Sequence, residues 1–297
     1  MVQPQFKKVI IFGVGLIGGS FALALRNANA VNEVVGFGRS KRTLEHALGF
    51  GLIDRIGEDI ACEVTDADLI LLATPVAQMA DILASIAPFL GANTLITDGG
   101  STKGDVVAAA RGQLGNKIAQ FVPAHPIAGA EHSGPSAALA DLYQGKKVVL
   151  TPLPENSAAA VARVRAAWQV CGALVSELTP EQHDEVFAAV SHLPHLLSFT
   201  LVHDLAQRDN RDLLLSFAAS GFRDFTRIAA SSPEMWRDIS LANREALLRE
   251  IEQYAAELYK LHQALEQRDG AKLEEMFSLA QKIRSAWSPD VRGSPIK

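Results

Sequence analysis

The chain has 297 residues, 48% of them hydrophobic and 21% charged, with a formal net charge of −5. That length suits two domains better than one core, and the charge gives no electrostatic reason to expect nucleic acid or an anionic membrane as partner. The two cysteines, Cys62 and Cys171, stand far apart and match no metal or redox spacing, which fits a reducing, cytoplasmic compartment without a metal site.

The first element is an apolar strand over residues 7–12, of the kind buried in a parallel sheet. Lys7-Lys8, an uncharged run over 9–25 and Ala28-Asn29-Ala30 imitate a secretory signal. Gly13, Gly15, Gly18 and Gly19 interrupt that run, however, and no other stretch reads as long and apolar enough to span a bilayer. Gly13-Val14-Gly15-Leu16-Ile17-Gly18 is a G-x-G-x-x-G between this strand and the small-residue helix that starts at Ser20. The first glycine permits a tight turn, the second lets a pyrophosphate approach the backbone, and the third lets helix and strand pack closely. Strand, glycine turn and helix together predict a dinucleotide site.

A second strand, 33–38, ends in Gly38-Arg39-Ser40-Lys41-Arg42, where NAD-binding chains carry an acidic residue for the ribose hydroxyl. Arg39, Ser40 and Lys41 or Arg42 suit a 2′-phosphate, so NADP is preferred over NAD; a basic first turn of a solvated helix is the plainer alternative. Strand 68–73 ends in Thr74-Pro75, with Thr74 a further cofactor contact, and precedes a helix with Val76, Met79, Leu83, Ile86 and Leu90 on one face. Strand 95–98 leads to Ser101, which either caps the next helix or serves the chemistry. Residues 119–123 read as a strand feeding the loop at 125–134, His-Pro-Ile-Ala-Gly-Ala-Glu-His-Ser-Gly, which leaves the sheet where open α/β folds place ligands; a tight surface turn with incidental polar residues is the plainer alternative. Strand 147–151, helix 155–171 and strand 173–178 complete a doubly wound parallel α/β sheet over residues 1–180.

Residues 181–297 read as an all-helical domain. One long helix over 181–207 holds Ser191-His192-Leu193-Pro194-His195, and Pro194 should kink it. Arg223 and Arg227 lie four apart with Trp236 nearby, a set that suits a carboxylate on a cyclic substrate or, more simply, helical salt bridges. A long amphipathic helix over 234–268 and a last one over 274–287 leave a domain with little core of its own, which predicts a homodimer.

Taken together, these residues resemble the prephenate/arogenate dehydrogenase family of tyrosine biosynthesis. The resemblance runs from about residue 6 to 287 and rests on the glycine turn, the 125–134 loop, SHLPH at 191–195 and GFRDFTRIAASSPEMW at 221–236. It implies a Rossmann-type domain followed by a helical dimerisation domain. The implied reaction is NAD(P)-dependent oxidative decarboxylation of prephenate and/or arogenate. His125 would take the hydroxyl proton, Ser101 would bond that hydroxyl or the histidine, and Arg227 would hold the ring carboxylate. His195 and Ser191 would approach the side chain or ring, Glu131 would gate or orient, and Trp236 would wall a pocket completed across the dimer interface. The basic stretch resembles NADP-using members that favour arogenate, whereas His195 resembles members that accept prephenate, so the choice of acid stays open. A hydroxyacid or imine reductase would instead centre on a lysine or aspartate of the helical half. A cofactor-sensing protein would have no use for His125, Ser101 and Arg227 together.

Overall fold

A computed structural model describes residues 5–129 and 133–287. In it, β1 (Phe6–Phe12), β2 (Val31–Phe37), β3 (Arg55–Ile56), β4 (Leu69–Leu72) and β5 (Leu95–Asp98) form a sheet in the order β3-β2-β1-β4-β5, with every pair parallel. The crossovers are α1 (Leu16–Asn27), α2 (Lys41–Gly49), α3 (Ile60–Thr65) and α4 (Met79–Ile86), and α5 (Gly104–Leu114) follows β5.

The apolar runs have a two-residue period hidden inside them. Val9 and Ile11 of β1 and Leu69 and Leu71 of β4 enter one core, with Phe21, Leu25 and Trp168; Ile10, Phe12, Ile70 and Leu72 enter the other, with Met79, Leu83 and Val107. A strand packed on both faces has no polar face to show, which is why these runs look continuous. Each fully buried Leu or Ile stabilises the fold by roughly 1.5–3 kcal/mol relative to exposure.

Register then locates the site. Phe12 pairs with both Phe37 and Leu72, and Leu72 with Asp98, so the four strand ends lie level. The segments after them begin at Gly13, Gly38, Ala73 and Gly99 and open on one edge, with the order reversing between β1 and β4. Open α/β sheets bind ligands at that reversal.

Beyond β5 the structure departs from the expected parallel run. Residues 119–123 do not form a strand: Gly115–Gln120 is a 3-10 helix, and Phe121 alone bridges to Ile96 in parallel. The strand is β6 (Ala124–Pro126), so His125 stands on it, and β6 runs antiparallel to β7 (Lys147–Leu150). Parallel neighbours need a crossover of a dozen or more residues, usually a helix. Among the described residues of 127–146 the longest helical piece is the turn Pro135–Ala137. β8 (Leu174–Glu177) follows α6 (Ala158–Val170) and pairs with β7 in parallel.

The helical part is likewise more divided than its pattern suggests. α7 (Pro180–Phe187) opens with a reciprocal cap, in which Gln182 N donates to Thr179 Oγ1 and Thr179 N to Gln182 Oε1. The kink expected at Pro194 appears as a π turn at Ala188–His192, which puts the proline in the first turn of α8 (Leu193–Ala206), where it costs no helical hydrogen bond. The helical run Pro180–Ala206 does have the length and mean hydropathy, 1.3, of a membrane-crossing helix, contrary to the sequence reading. Yet His183 and Asp184 in its first turns are hydrogen-bonded inside the first unit, as in a packed helix. After α9 (Arg211–Ser216) and α10 (Ser220–Thr226), Arg227 begins a 3-10 turn, Arg227–Ala230. The expected helix over 234–268 is two: α11 (Pro233–Ala242) and α12 (Arg244–Glu266), followed by α13 (Gly270–Ala286). Asn243 breaks them, buried with its Nδ2 donating to the Asp184 carbonyl at 2.8 Å.

The chain packs as two units. The first comprises the residues through Val186 together with Ser231–Asn243; the second comprises Phe187–Ala230 and the residues from Arg244 on. The sequence pattern places a boundary at residue 180 with 231–243 in the helical half, whereas α11 packs against the turn Val76–Gln78 that follows Thr74-Pro75.

Candidate active site

The glycine turn fits a dinucleotide for steric reasons visible in its backbone. Gly13 has φ +95°, and a Cβ there would lie 2.5 Å from the Ala73 carbonyl oxygen. At Gly18 a Cβ would lie 2.3 Å from the Gly13 oxygen, whereas at Gly15 nothing comes within 4 Å. The space above Gly15 is thus a cradle that a side chain would fill. No side chain caps α1, so its first-turn N–H groups at Leu16, Ile17 and Gly18 suit an anion. Thr74 Oγ1, on the next strand end, is buried without a hydrogen bond among the described residues. Arg39, Ser40 and Lys41 are all exposed at the start of α2, where Ser40 Oγ caps by accepting from Thr43 N and Lys41 Nζ lies 3.9 Å from Glu45.

The loop after β5 is shaped by a buried ion pair. Asp98 Oδ2 accepts from Lys103 Nζ at 2.5 Å and from Gly100 N at 2.9 Å, while Oδ1 accepts from Ala124 N at 2.9 Å. One carboxylate therefore folds the loop carrying Ser101 and fixes the start of β6 beside His125. Ser101 is half-buried and does not cap α5. Asp184 does so from α7, Oδ1 accepting from Lys103 N at 2.8 Å and Oδ2 from Gly104 N at 2.7 Å.

Asp184 also ends a chain of side chains that begins at His125. His125 Nδ1 lies 2.8 Å from His183 Nε2, and His183 Nδ1 lies 2.8 Å from Asp184 Oδ1. The proton positions follow from the partners. A carboxylate only accepts, so His183 Nδ1 donates; in a neutral ring His183 Nε2 then accepts, and His125 Nδ1 must donate to it. The lone pair of neutral His125 is therefore on Nε2. Burial pushes His183 below the ordinary imidazole range, with Lys103 adding to that and Asp184 opposing it. Burial pushes the Asp184 carboxyl up, but the hydrogen bonds from His183, Gly104 and Lys103 outweigh it and leave it below the usual carboxylate range.

In the second unit the structure brings Ser191, His195 and Arg227 together. His195 Nδ1 donates to the Ser191 carbonyl at 2.9 Å, so the Ser191 backbone rather than its hydroxyl holds the ring. Burial lowers the pKa of His195 and the nearby Arg227 charge lowers it further, against the Ser191 carbonyl. Arg223 sits beside Asp224 in an exposed pair at 3.5 Å, the plainer role anticipated for it. Trp236 is buried in α11, within the first unit. Glu131 lies outside the described residues. His183, Asp184 and the Asp98–Lys103 pair escaped the sequence reading. The sequence signal for His183 and Asp184 is a His-Asp dipeptide just after a capping box, with His183 58 residues beyond His125.

Comparison with known proteins identifies the family of the chain. Residues 21–177 match the profile of the prephenate dehydrogenase nucleotide-binding domain, and residues 179–279 that of the prephenate dehydrogenase dimerization domain. The chain is 37% identical over 287 residues to the cyclohexadienyl dehydrogenase of Zymomonas mobilis, covering 96% of this chain and 97% of the relative. It is similar to the crystal structure of Aquifex aeolicus prephenate dehydrogenase in complex with hydroxyphenyl propionate and NAD+, at TM-score 0.88 and 35% identity, covering 94% of this chain and 97% of that one. It is also similar to Synechocystis arogenate dehydrogenase, at TM-score 0.80 and 27% identity, covering 95% and 100%. The glycine turn precedes the matched segment and stands on its own geometry.

Proposed function

The chain belongs to the prephenate dehydrogenase family, and from that premise we propose that it catalyses NAD(P)-dependent oxidative decarboxylation of prephenate and/or arogenate in tyrosine biosynthesis, giving 4-hydroxyphenylpyruvate and/or tyrosine. The observation that carries this reading is His125, set on β6 with its basic Nε2 defined by the His183–Asp184 chain. The dinucleotide held by Gly13, Gly15, Gly18 and Thr74 would supply the acceptor for the hydride of the carbinol carbon.

His125 takes the hydroxyl proton on Nε2. The bond from the ring to its carboxylate then breaks, its electrons enter the ring, carbon dioxide leaves, and the phenolate oxygen recovers the proton from His125. Aromatisation drives the step forward, so the protein need only orient the ring, move one proton and release one carboxylate. Ser101 hydrogen-bonds the hydroxyl or His125. Arg227 holds the ring carboxylate through its guanidinium fork. His195, fixed by Ser191, meets the substrate side chain or ring, Glu131 orients it, and Trp236 walls the pocket.

Gly13, Gly15, Leu16, Ile17, Gly18 and Thr74 cradle the dinucleotide. We assign Arg39, Ser40 and Lys41 to a 2′-phosphate, which makes NADP the preferred cofactor and NAD the second. A homodimer forms through the helical unit, whose Phe217, Tyr259, Phe277, Leu279 and Ile283 expose large apolar surface. The unpaired thiols of Cys62 and Cys171 support a cytoplasmic location. The test is stoichiometry with purified protein: one carbon dioxide released per nicotinamide reduced supports the reaction, and reduction without carbon dioxide overturns it.

A further inference from the structure

The helix that closes the nucleotide-binding unit contributes two side chains that the reaction does not touch and that nevertheless define the base. We propose that His183 is a positioning residue: relayed to Asp184, it fixes the tautomer of His125 and spreads the positive charge that His125 gains on taking the proton. The proposal rests on the reading of His125 as the base.

Asp184 accepts three times, from His183 Nδ1 and from the backbone of Lys103 and Gly104, which locks the carboxylate at the start of α5. His183 is wholly buried, so its ring is shielded from bulk solvent. Its neutral form offers His125 only an acceptor, and His125 answers with Nδ1–H. Once His125 is protonated, its Nδ1–H still points down the relay, and the Asp184 carboxylate at the far end stabilises the imidazolium. A histidine held by carboxylate in serine hydrolases gains orientation and charge stabilisation in the same way.

The relay also predicts an acid limit. Among the described residues, the charged or titratable groups facing His183 include Asp184, Lys103, Asp98 and His125. A proton on His183 makes both of its nitrogens donors. His125 Nδ1 must then accept, the proton of the neutral ring moves to Nε2, and the base is lost. Burial delays that event to more acidic pH than an ordinary imidazole. The acid limb of kcat/KM should therefore be steeper than one ionisation.

The experiment compares wild type with His183→Asn and His125→Asn. Asparagine keeps a donor for Asp184 but has nothing that reaches His125. Histidine-selective 15N spectra of the cofactor-free protein report the tautomer, and His125→Asn identifies the signal. We expect Nδ1–H at His125 in wild type and a lost preference in His183→Asn. We also expect kcat to fall about 10- to 100-fold at unchanged cofactor KM, with an acid limb reduced to a single ionisation. An Nε2–H tautomer in the wild type overturns the relay, a result that needs no variant to fold. Unchanged spectra and pH profile in His183→Asn overturn it too. Full activity in His125→Asn would sink the base assignment itself; inactivity there beside a normal His183→Asn sinks the relay alone.

Discussion

Lys103 Nζ and Asp98 Oδ2 meet at 2.5 Å with both side chains wholly excluded from solvent. The same carboxylate takes the backbone N–H groups of Gly100 and Ala124, so a single group ties the Ser101 loop to the strand of His125. Losing one member strands the other in a medium that cannot hydrate it. Asp98→Asn should destabilise the protein by about 3–5 kcal/mol, measured by urea unfolding. A loss under about 1 kcal/mol, no more than an exposed pair is worth, would contradict this view of the loop.

Arg227 is exposed on its 3-10 turn, and its role needs the guanidinium fork rather than charge alone. Arg227→Lys keeps the charge but not the bidentate geometry. We expect kcat/KM for the ring acid to fall about 10- to 100-fold, as loss of a charged, paired hydrogen bond predicts. The cofactor KM should not move; a variant impaired in cofactor binding instead would remove Arg227 from the carboxylate.

The basic start of α2 gives a discriminating test of cofactor choice. Arg39→Ala should raise KM for NADP about tenfold, equivalent to about 1.4 kcal/mol, and leave KM for NAD alone. Equal effects on both would mean that Arg39, Ser40 and Lys41 only begin a solvated helix.

Acid stability has two identifiable sources. Hydrogen bonding from Arg55 lowers the Glu63 carboxyl to about 2, with Lys8 assisting and burial opposing. Its folded pKa lies below the unfolded value of about 4.3, so its contribution is present above that pH and fades as pH falls toward 2. Glu63→Gln should cost on the order of 2 kcal/mol at pH 7, and its unfolding curve should converge with the wild type near pH 2. His183 acts earlier, because its folded pKa is also depressed: stability should decline as pH falls below about 6.5, where the unfolded imidazole begins to bind protons. A pH-independent deficit in Glu63→Gln would contradict the first point, and a flat stability from pH 7 to 5 the second.

What the sequence disclosed follows physical lines. Strands β1 and β4 are legible because burial on both faces demands apolar runs, over Val9–Phe12 and Leu69–Leu72, and the glycine turn because its spacing is dictated by sterics at Gly13 and Gly18. The two-residue β3 left no such signature. The apolar run at 119–123 misled because only Phe121 finds a ladder partner, and burial without pairing looks the same in sequence. The α11–α12 break was hidden because a helical period passes through Asn243; only a tertiary bond to the Asp184 carbonyl reveals it. His125 stood out through its neighbours in the chain. His183 could not, because its meaning lies in a contact made across the fold.

The central claim is best tested by initial rates of nicotinamide reduction with purified protein, crossing prephenate and arogenate with NAD and NADP. We predict reduction with at least one of the two acids, faster with NADP than with NAD. No reduction in any of the four combinations would contradict the assignment and return the chain to the wider class of two-domain reductases.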